Sequence, residues 1–190
     1  MRVRIALVAL ALALAGCNQP TTSGEAGGTD APSLDAPAPE SEPSRVFAAG
    51  NDAARSTTGE LNVALAMRMP DAAQENAEAR EILTLRGAND LVVEAEINGA
   101  VSPATQVGGQ TLRALLNIPL EEPQVLVYRV TQETKPSNGQ GVCGADAPSF
   151  IVVWEPSGPS GGGMKILGLT GGAPGAEGAR ACPMLEYGRA

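Results

Sequence analysis

Apolar and polar side chains alternate along much of the chain with the period of a β-strand. Between residues 61 and 69, large apolar side chains occupy every odd position, which places them on one face of a half-buried strand. Residues 91–97 alternate in the same way and lead into Asn98-Gly99. Because both central residues of a type I′ turn need positive φ, this dipeptide predicts a hairpin turn.

The remaining strand signals follow at short intervals and are separated by turns rich in glycine and proline. Apolar or β-branched runs occupy residues 81–86, 124–131, 150–155, 164–170 and 183–187. The run at 150–155 is the most hydrophobic and is predicted to be central. We therefore expect a mainly β fold, a single antiparallel β-sandwich or small barrel of about eight short strands, with at most one short helix.

Two stretches have an ambiguous pattern. Residues 111–118 fit either a strand or a short helix, and Pro119 ends either one. Residues 71–80 are the best helix candidate, since Asp71 can cap a helix with Gln74 three residues later. The stretch has no apolar stripe to bury, so a helical turn or an ordered loop is an equal alternative.

Residues 18–44 have a composition that does not support a folded core. They contain acidic residues but no basic or aromatic ones, and Leu34 is their single large aliphatic residue. Such a segment cannot bury enough apolar surface to offset its ordering entropy, so we predict a disordered tether with a reach of ~30 Å. The chain thus divides into residues 1–16, a linker over 17–44, and one β-rich globular domain over 45–190.

The first sixteen residues have the layout of a removable secretory signal. Arg2 and Arg4 precede an unbroken apolar run over residues 5–15. That run is too short for a transmembrane helix, which needs ~20 apolar residues, but it has the length of a signal-peptide core.

The residues Leu14, Ala15, Gly16 and Cys17 resemble the lipobox of bacterial lipoprotein precursors. The resemblance implies cleavage before Cys17 and acylation of its thiol and new amine, with palmitate among the attached chains. Asn18 follows where inner-membrane lipoproteins tend to carry Asp, so the resemblance implies the outer membrane, with the domain in the periplasm and surface exposure left open. The alternative is an ordinary secreted protein in which Cys17 is incidental.

Two cysteines remain once Cys17 is assigned to lipid. Cys143 and Cys182 would share an oxidising compartment, which predicts one disulfide bond. The closed loop of about 40 residues corresponds to ~4 kcal/mol in the chain-entropy estimate. Two free buried thiols are the alternative.

The charge of the chain argues against nucleic acid as a partner. Removing the leader takes Arg2 and Arg4 from the 13 basic residues, which leaves 11 against 21 acidic ones, a formal balance of −10. Affinity for phosphate backbones needs clustered lysine and arginine, and the sequence shows no such cluster.

The absence of histidine excludes much of the usual catalytic chemistry. It removes Ser-His-Asp and Cys-His catalysis and imidazole ligation, and two cysteines cannot complete a zinc site. We predict no metal and no cofactor. The glycine-rich residues 157–165 lack the adjacent Gly-Lys-Ser/Thr of a phosphate-binding loop, and no Ser-x-x-Lys motif occurs.

The remaining candidate residues are carboxylates and aromatic side chains. Glu94 and Glu96 are ~6.6 Å apart by strand rise, within the range of an inverting glycosidase, but both alternate with apolar residues, which favours a solvated outer face. Glu121-Glu122 fits a solvated turn. Tyr128 and Trp154 could line a binding groove, but Trp154 alternates with apolar neighbours in the way of a core residue.

The function expected from these observations is non-catalytic. We predict an outer-membrane lipoprotein whose β-domain binds an envelope protein or glycan. One alternative is a carboxylate-dependent hydrolase of envelope polymers, which a deep cleft with two inward-facing acids would favour. Another is a passive structural component of the envelope.

Overall fold

The structure is a computed structural model that describes residues 43–69, 78–156 and 162–190. The predicted signal, the lipobox residues Leu14 to Cys17, Asn18 and nearly all of the predicted tether lie outside the described residues. So do residues 71–77 of the helix candidate, and Arg80 at its end begins a strand.

Short strands dominate the described part of the chain, which also contains two short helices. In order they are β1 Arg45–Ala49, α1 Asp52–Thr57, β2 Leu61–Arg68, β3 Arg80–Gly87, β4 Val92–Val101, β5 Gln106–Val107, β6 Gln110–Thr111, α2 Leu112–Leu116, β7 Val125–Thr134, β8 Phe150–Trp154, β9 Met164–Thr170, β10 Arg180–Ala181 and β11 Leu185–Arg189.

Eight of these strands close into an antiparallel barrel. Their order is β9-β11-β1-β2-β3-β4-β7-β8, and β8 pairs back with β9. The short strand β10 adds to the end of β9, and β5 with β6 forms a separate hairpin. The predicted mainly β fold is confirmed, and of its two forms the barrel is the one observed.

Alternation along the strands separates an interior from an exterior core. The interior is filled by apolar side chains from all eight barrel strands, among them Phe47, Leu61, Val93, Ile151 and Ile166. The exterior core lies over β7, β8 and β9, where residues of α2 such as Leu112 and Leu116 pack against Val152 and Leu167. Strands β8 and β9 are thus buried on both faces, which explains their continuous hydrophobic runs.

Helix α1 closes one end of the barrel. The side chain of Asn51 caps it by accepting a hydrogen bond from Ala54 N at 2.8 Å and donates to the Met184 carbonyl at 2.9 Å. Ala54 is fully buried in the interior core. The prediction of at most one helix is therefore wrong, because α1 lies in a stretch without an apolar pattern of its own.

Helix α2 resolves the ambiguity of residues 111–118 in favour of a helix. Thr111 caps it through a hydrogen bond from Ala114 N, and Asn117 ends it with φ of 50°.

The eighth barrel strand is instead β1, which the apolar pattern did not predict. It fits between β11 and β2, with Phe47 paired to Arg189 on one side and to Leu61 on the other.

The predicted hairpin at Asn98-Gly99 is wrong. Strand β4 continues to Val101, and its register with β7 shifts between Ile97 and Gly99. Gly99 has φ of 127°, so the glycine serves a β-bulge and not a turn.

Cys143 and Cys182 form a disulfide bond, with their Cα atoms 5.2 Å apart. The bond connects the loop after β7 to the segment that leads into β11, and it crosses β9 at Gly168. A Cβ atom on Gly168 would lie 2.7 Å from Cys143 Sγ and 2.8 Å from Val142 Cγ1. The glycine therefore provides the space that the bridge occupies.

A buried carboxylate holds the loop that carries Cys143. The side chain of Glu133 is 3% exposed, and its Oε1 accepts a hydrogen bond from Val142 N at 2.8 Å. Lys135 lies 3.8 Å from the other carboxylate oxygen and donates to the carbonyl groups of Gly144 and Ala145. These contacts hold the same loop that the disulfide bond constrains.

We predict that Gly168→Ala lowers the free energy of unfolding by about 1–3 kcal/mol, because the added methyl group overlaps the disulfide and Val142. Gly188→Ala is the matched control, since a Cβ on Gly188 of β11 meets nothing within 4 Å and φ there is not positive. Urea unfolding followed by Trp154 fluorescence measures both variants. Equal stability of the two would contradict the proposed packing role of Gly168.

Candidate functional site

The two ends of the barrel differ, and one of them is open. Strands β1, β3, β7 and β9 begin, and β2, β4, β8 and β11 end, at the end opposite α1. We call this end the mouth and define it by Arg45, Leu65, Glu81, Leu126 and Glu155. These residues border a cavity of about 300 Å³.

The floor of this cavity is apolar and its rim is charged. Val63, Leu83, Val153 and Met164 line the cavity and belong to the filled interior of the barrel. The mouth is therefore a shallow depression above a packed core and not the entrance to a deep channel.

Tyr128 connects the floor of the mouth to its rim. Its ring is 2% exposed, and its hydroxyl donates a hydrogen bond to Glu81 Oε1 at 2.7 Å. Burial raises the pKa of Tyr128 well above its ordinary value, and the hydrogen bond and negative charge of Glu81 raise it further. Tyr128 thus remains a neutral donor that orients the Glu81 carboxylate.

A second carboxylate at the rim is paired with an arginine. Arg45 Nη1 and Nη2 donate to the two oxygens of Glu155 at 2.6 and 2.8 Å. The side chains are 42% and 39% exposed, so solvent limits the pair to ~1 kcal/mol or less. The two parallel hydrogen bonds nevertheless fix the position of both groups, and they connect the start of β1 to the residue that follows β8.

Trp154, the other aromatic residue predicted to line a groove, belongs to the exterior core. It is 7% exposed, and its Nε1 donates to Glu122 Oε2 at 3.2 Å. Lys165 Nζ lies 5.3 Å from the ring centroid and donates to the Leu116 carbonyl. Tyr128 and Trp154 both border the cavity, but neither is an exposed aromatic platform.

The predicted carboxylate pair lies on the outer surface of the barrel and not in the mouth. Glu96 contacts three guanidinium groups, those of Arg68, Arg80 and Arg129, at 3.1 to 3.2 Å. Desolvation raises its pKa, but hydrogen bonds and charges from Arg80 and Arg129 outweigh this effect and hold the pKa below its ordinary value. Glu94 lines a separate outer groove with Ile82.

Sequence reasoning missed the polar residues that the mouth brings together. Arg45 begins β1, Glu81 is the second residue of β3 and Glu155 follows the last residue of β8. These positions are distant in sequence and are brought together by barrel closure. The available signal was the position of each residue at the start or the end of a strand.

The described residues contain no group of three or more histidine, cysteine, aspartate or glutamate side chains placed to hold a metal ion. Over the same ranges, no helix is long and apolar enough to cross a membrane.

Comparison with known proteins gives no match to a family model, to a curated protein or to a solved structure.

The two tyrosines of the chain give a pH prediction. Burial raises the pKa of Tyr187 to about 12, although its hydrogen bond with Thr58 at 2.7 Å lowers it, and Tyr128 is also shifted upward. The unfolded chain releases these protons near pH 10, where the native state retains them. Stability should therefore be intact below pH 10 and should fall as the pH rises from 10 towards 12.

Absorbance at 295 nm measures this directly, because it reports tyrosinate and the chain has only two tyrosines. We expect little absorbance change at pH 10 in the native protein and half-ionisation near pH 10 in urea. Tyr128→Phe should leave a single native titration, that of Tyr187. A native titration centred at pH 10 would contradict the burial of both hydroxyl groups.

Proposed function

We propose that this protein is a lipid-anchored binding protein of the bacterial outer membrane. Its barrel binds a protein or a glycan of the cell envelope at the mouth and does not catalyse a reaction on it. The observation that carries the proposal is the form of the mouth: an open, partly apolar depression of about 300 Å³ at the one end of the barrel that α1 does not close.

The charge at the mouth favours one class of contact. Glu81 and Glu155 contribute two negative charges and Arg45 one positive charge, and Glu122 adds a further carboxylate to the cavity wall. The depression therefore combines apolar walls with a net negative charge. A basic side chain of a partner protein, with its aliphatic stem and cationic head, complements both features.

The filled interior supports binding over hydrolysis. A glycosidase needs two carboxylates on either side of a bond inside a cleft, with one of them free to donate a proton. At the mouth, the Glu81 carboxylate is engaged by Tyr128 and the Glu155 carboxylate by Arg45. Both acids lie at the rim, above a packed core.

A hydrolase that acts on envelope polymers remains the second candidate, and a specific observation favours it. Glu81 and Glu155 border the same cavity, so two carboxylates do converge at one place. In this alternative, Glu155→Gln would abolish the release of fragments from purified envelope polymers. In the binding proposal, the protein releases none.

The binding proposal predicts a partner that contacts the mouth and not the closed end. A photo-crosslinking amino acid at Leu126, which is 40% exposed, should capture a discrete adduct in cells. The same amino acid at exposed Glu177, in the loop between β9 and β10, is the matched control and should capture none. Mass spectrometry of the adducts identifies the partner.

Two outcomes of this experiment would contradict the proposal. Equal adducts from both positions would remove the mouth as the binding site. No adduct from Leu126, together with a deletion strain that shows no envelope phenotype, would favour a passive structural component.

The anchor gives a separate prediction. Cys17→Ala should prevent cleavage and acylation, and globomycin should likewise leave the unprocessed precursor in wild-type cells. Asn18→Asp is the sorting test and should move the processed protein towards the inner membrane in species that use that signal. A wild-type N-terminus that mass spectrometry finds cleaved but unacylated would refute the anchor.

A further inference from the structure

The exposed large apolar side chains of the described residues gather at one end of the barrel. Met67 and Met69 are 43% and 69% exposed at the end of β2, and Leu120 and Leu126 are 83% and 40% exposed beside the start of β7. Val46 follows Arg45 at the start of β1. The closed end of the barrel, within the described ranges, has no large apolar side chain of this exposure.

This distribution is not required for folding. The interior of the barrel is filled by other residues, and Leu120 and Met69 contribute little to either apolar core. Several exposed apolar side chains around one opening are typical of a surface that another apolar surface covers.

Basic side chains accompany these apolar residues. Arg68 lies between Met67 and Met69, and Arg80 pairs with Arg68 across β2 and β3. Their side chains are 56% and 61% exposed, and both contact the single carboxylate of Glu96, which Arg129 also contacts. Three guanidinium groups on one carboxylate leave a local positive excess in a chain whose net charge is negative.

The chain that leads to Cys17 joins the barrel at this same end. Strand β1 begins at Arg45 in the mouth, so residues 17–42 connect the predicted lipid anchor to this end and not to the end closed by α1. In the function proposed above, the membrane surface is consequently available to this end of the barrel at high local concentration.

We propose that the apolar rim formed by Met67, Met69 and Leu120 docks on the surface of the anchoring bilayer, with Arg68 and Arg80 against anionic headgroups, while Leu126 at the mouth stays available to a partner. Apolar side chains that enter the headgroup region and arginines that contact lipid phosphate are the two components of interfacial binding. The mouth then faces ligands presented at the membrane surface. This inference depends on the proposed function only for the lipid anchor that places the barrel next to a membrane.

The test uses the unlipidated mature chain, Cys17→Ser, so that docking is measured without the anchor. Vesicles of phosphatidylethanolamine and phosphatidylglycerol should co-sediment the protein, and vesicles of phosphatidylcholine alone should retain much less of it. Met67→Ser combined with Met69→Ser should weaken binding at least about tenfold, because two apolar side chains no longer enter the lipid.

The charge component has a matched pair of variants. Arg68→Ala combined with Arg80→Ala should weaken binding to anionic vesicles, by about fivefold for each residue. Arg55→Ala combined with Arg180→Ala removes the same charge from the closed end and should have no effect. Circular dichroism and Trp154 fluorescence check that every variant is folded.

Three results would overturn the inference. They are failure of the wild type to bind anionic vesicles, equal loss in both arginine pairs, and unchanged binding after the methionine substitutions. A dimer in solution that the methionine substitutions dissociate, without vesicle binding, would assign the rim to a second copy of the chain. None of these results affects crosslinking from Leu126, so the proposed function and this inference fail separately.

Discussion

Barrel closure is the constraint on which the rest of the structure depends. The β-sheet has no long free edge because β8 pairs with β9, and β1 completes the ring by pairing with both β2 and β11. Strand β1 comes from the start of the described chain and β11 from its end. Closure therefore requires two segments about 140 residues apart in sequence to become neighbours, and it brings all the interior side chains into one core.

This constraint also determines how the two ends of the barrel can be used. At the closed end, α1, the disulfide bond and the Glu133 contacts hold the connections between strands in place. At the mouth, the groups from different strands are held by side-chain contacts, Tyr128 with Glu81 and Arg45 with Glu155. These contacts at the closed end hold the strands in register, and the connection between β4 and β7 adds Glu122 to the wall of the mouth through its hydrogen bond from Trp154.

The sequence predicted the parts of the fold that depend on local pattern. Strict alternation identified β2 and β4, and the hydrophobic run of β8 identified a strand that is buried on both faces. Cysteine counting paired Cys143 with Cys182. The sequence pattern could not predict β1, because Arg45–Ala49 has no distinctive alternation. This segment becomes a strand only through pairing on both sides.

The candidate site was less accessible to sequence analysis for the same reason. Tyr128 and Trp154 were identified as aromatic residues, but their burial and their hydrogen bonds to Glu81 and Glu122 depend on contacts across the barrel. The Asn98-Gly99 dipeptide shows that a clear local turn signal can also mislead. The turn required positive φ at both residues, but only Gly99 has it, because pairing with β7 places this glycine at a bulge within β4.

The asymmetry of the barrel links its architecture to the proposed role. Large apolar side chains are exposed around the mouth, whereas the closed end carries a helix cap, a disulfide bond and a buried carboxylate. Exposed apolar area lowers solubility and adds nothing to the stability of the isolated domain. Such area is typical of an interaction surface, and in the proposed function the end at which the linker joins the barrel is the end where a lipid anchor would bring a second surface within reach.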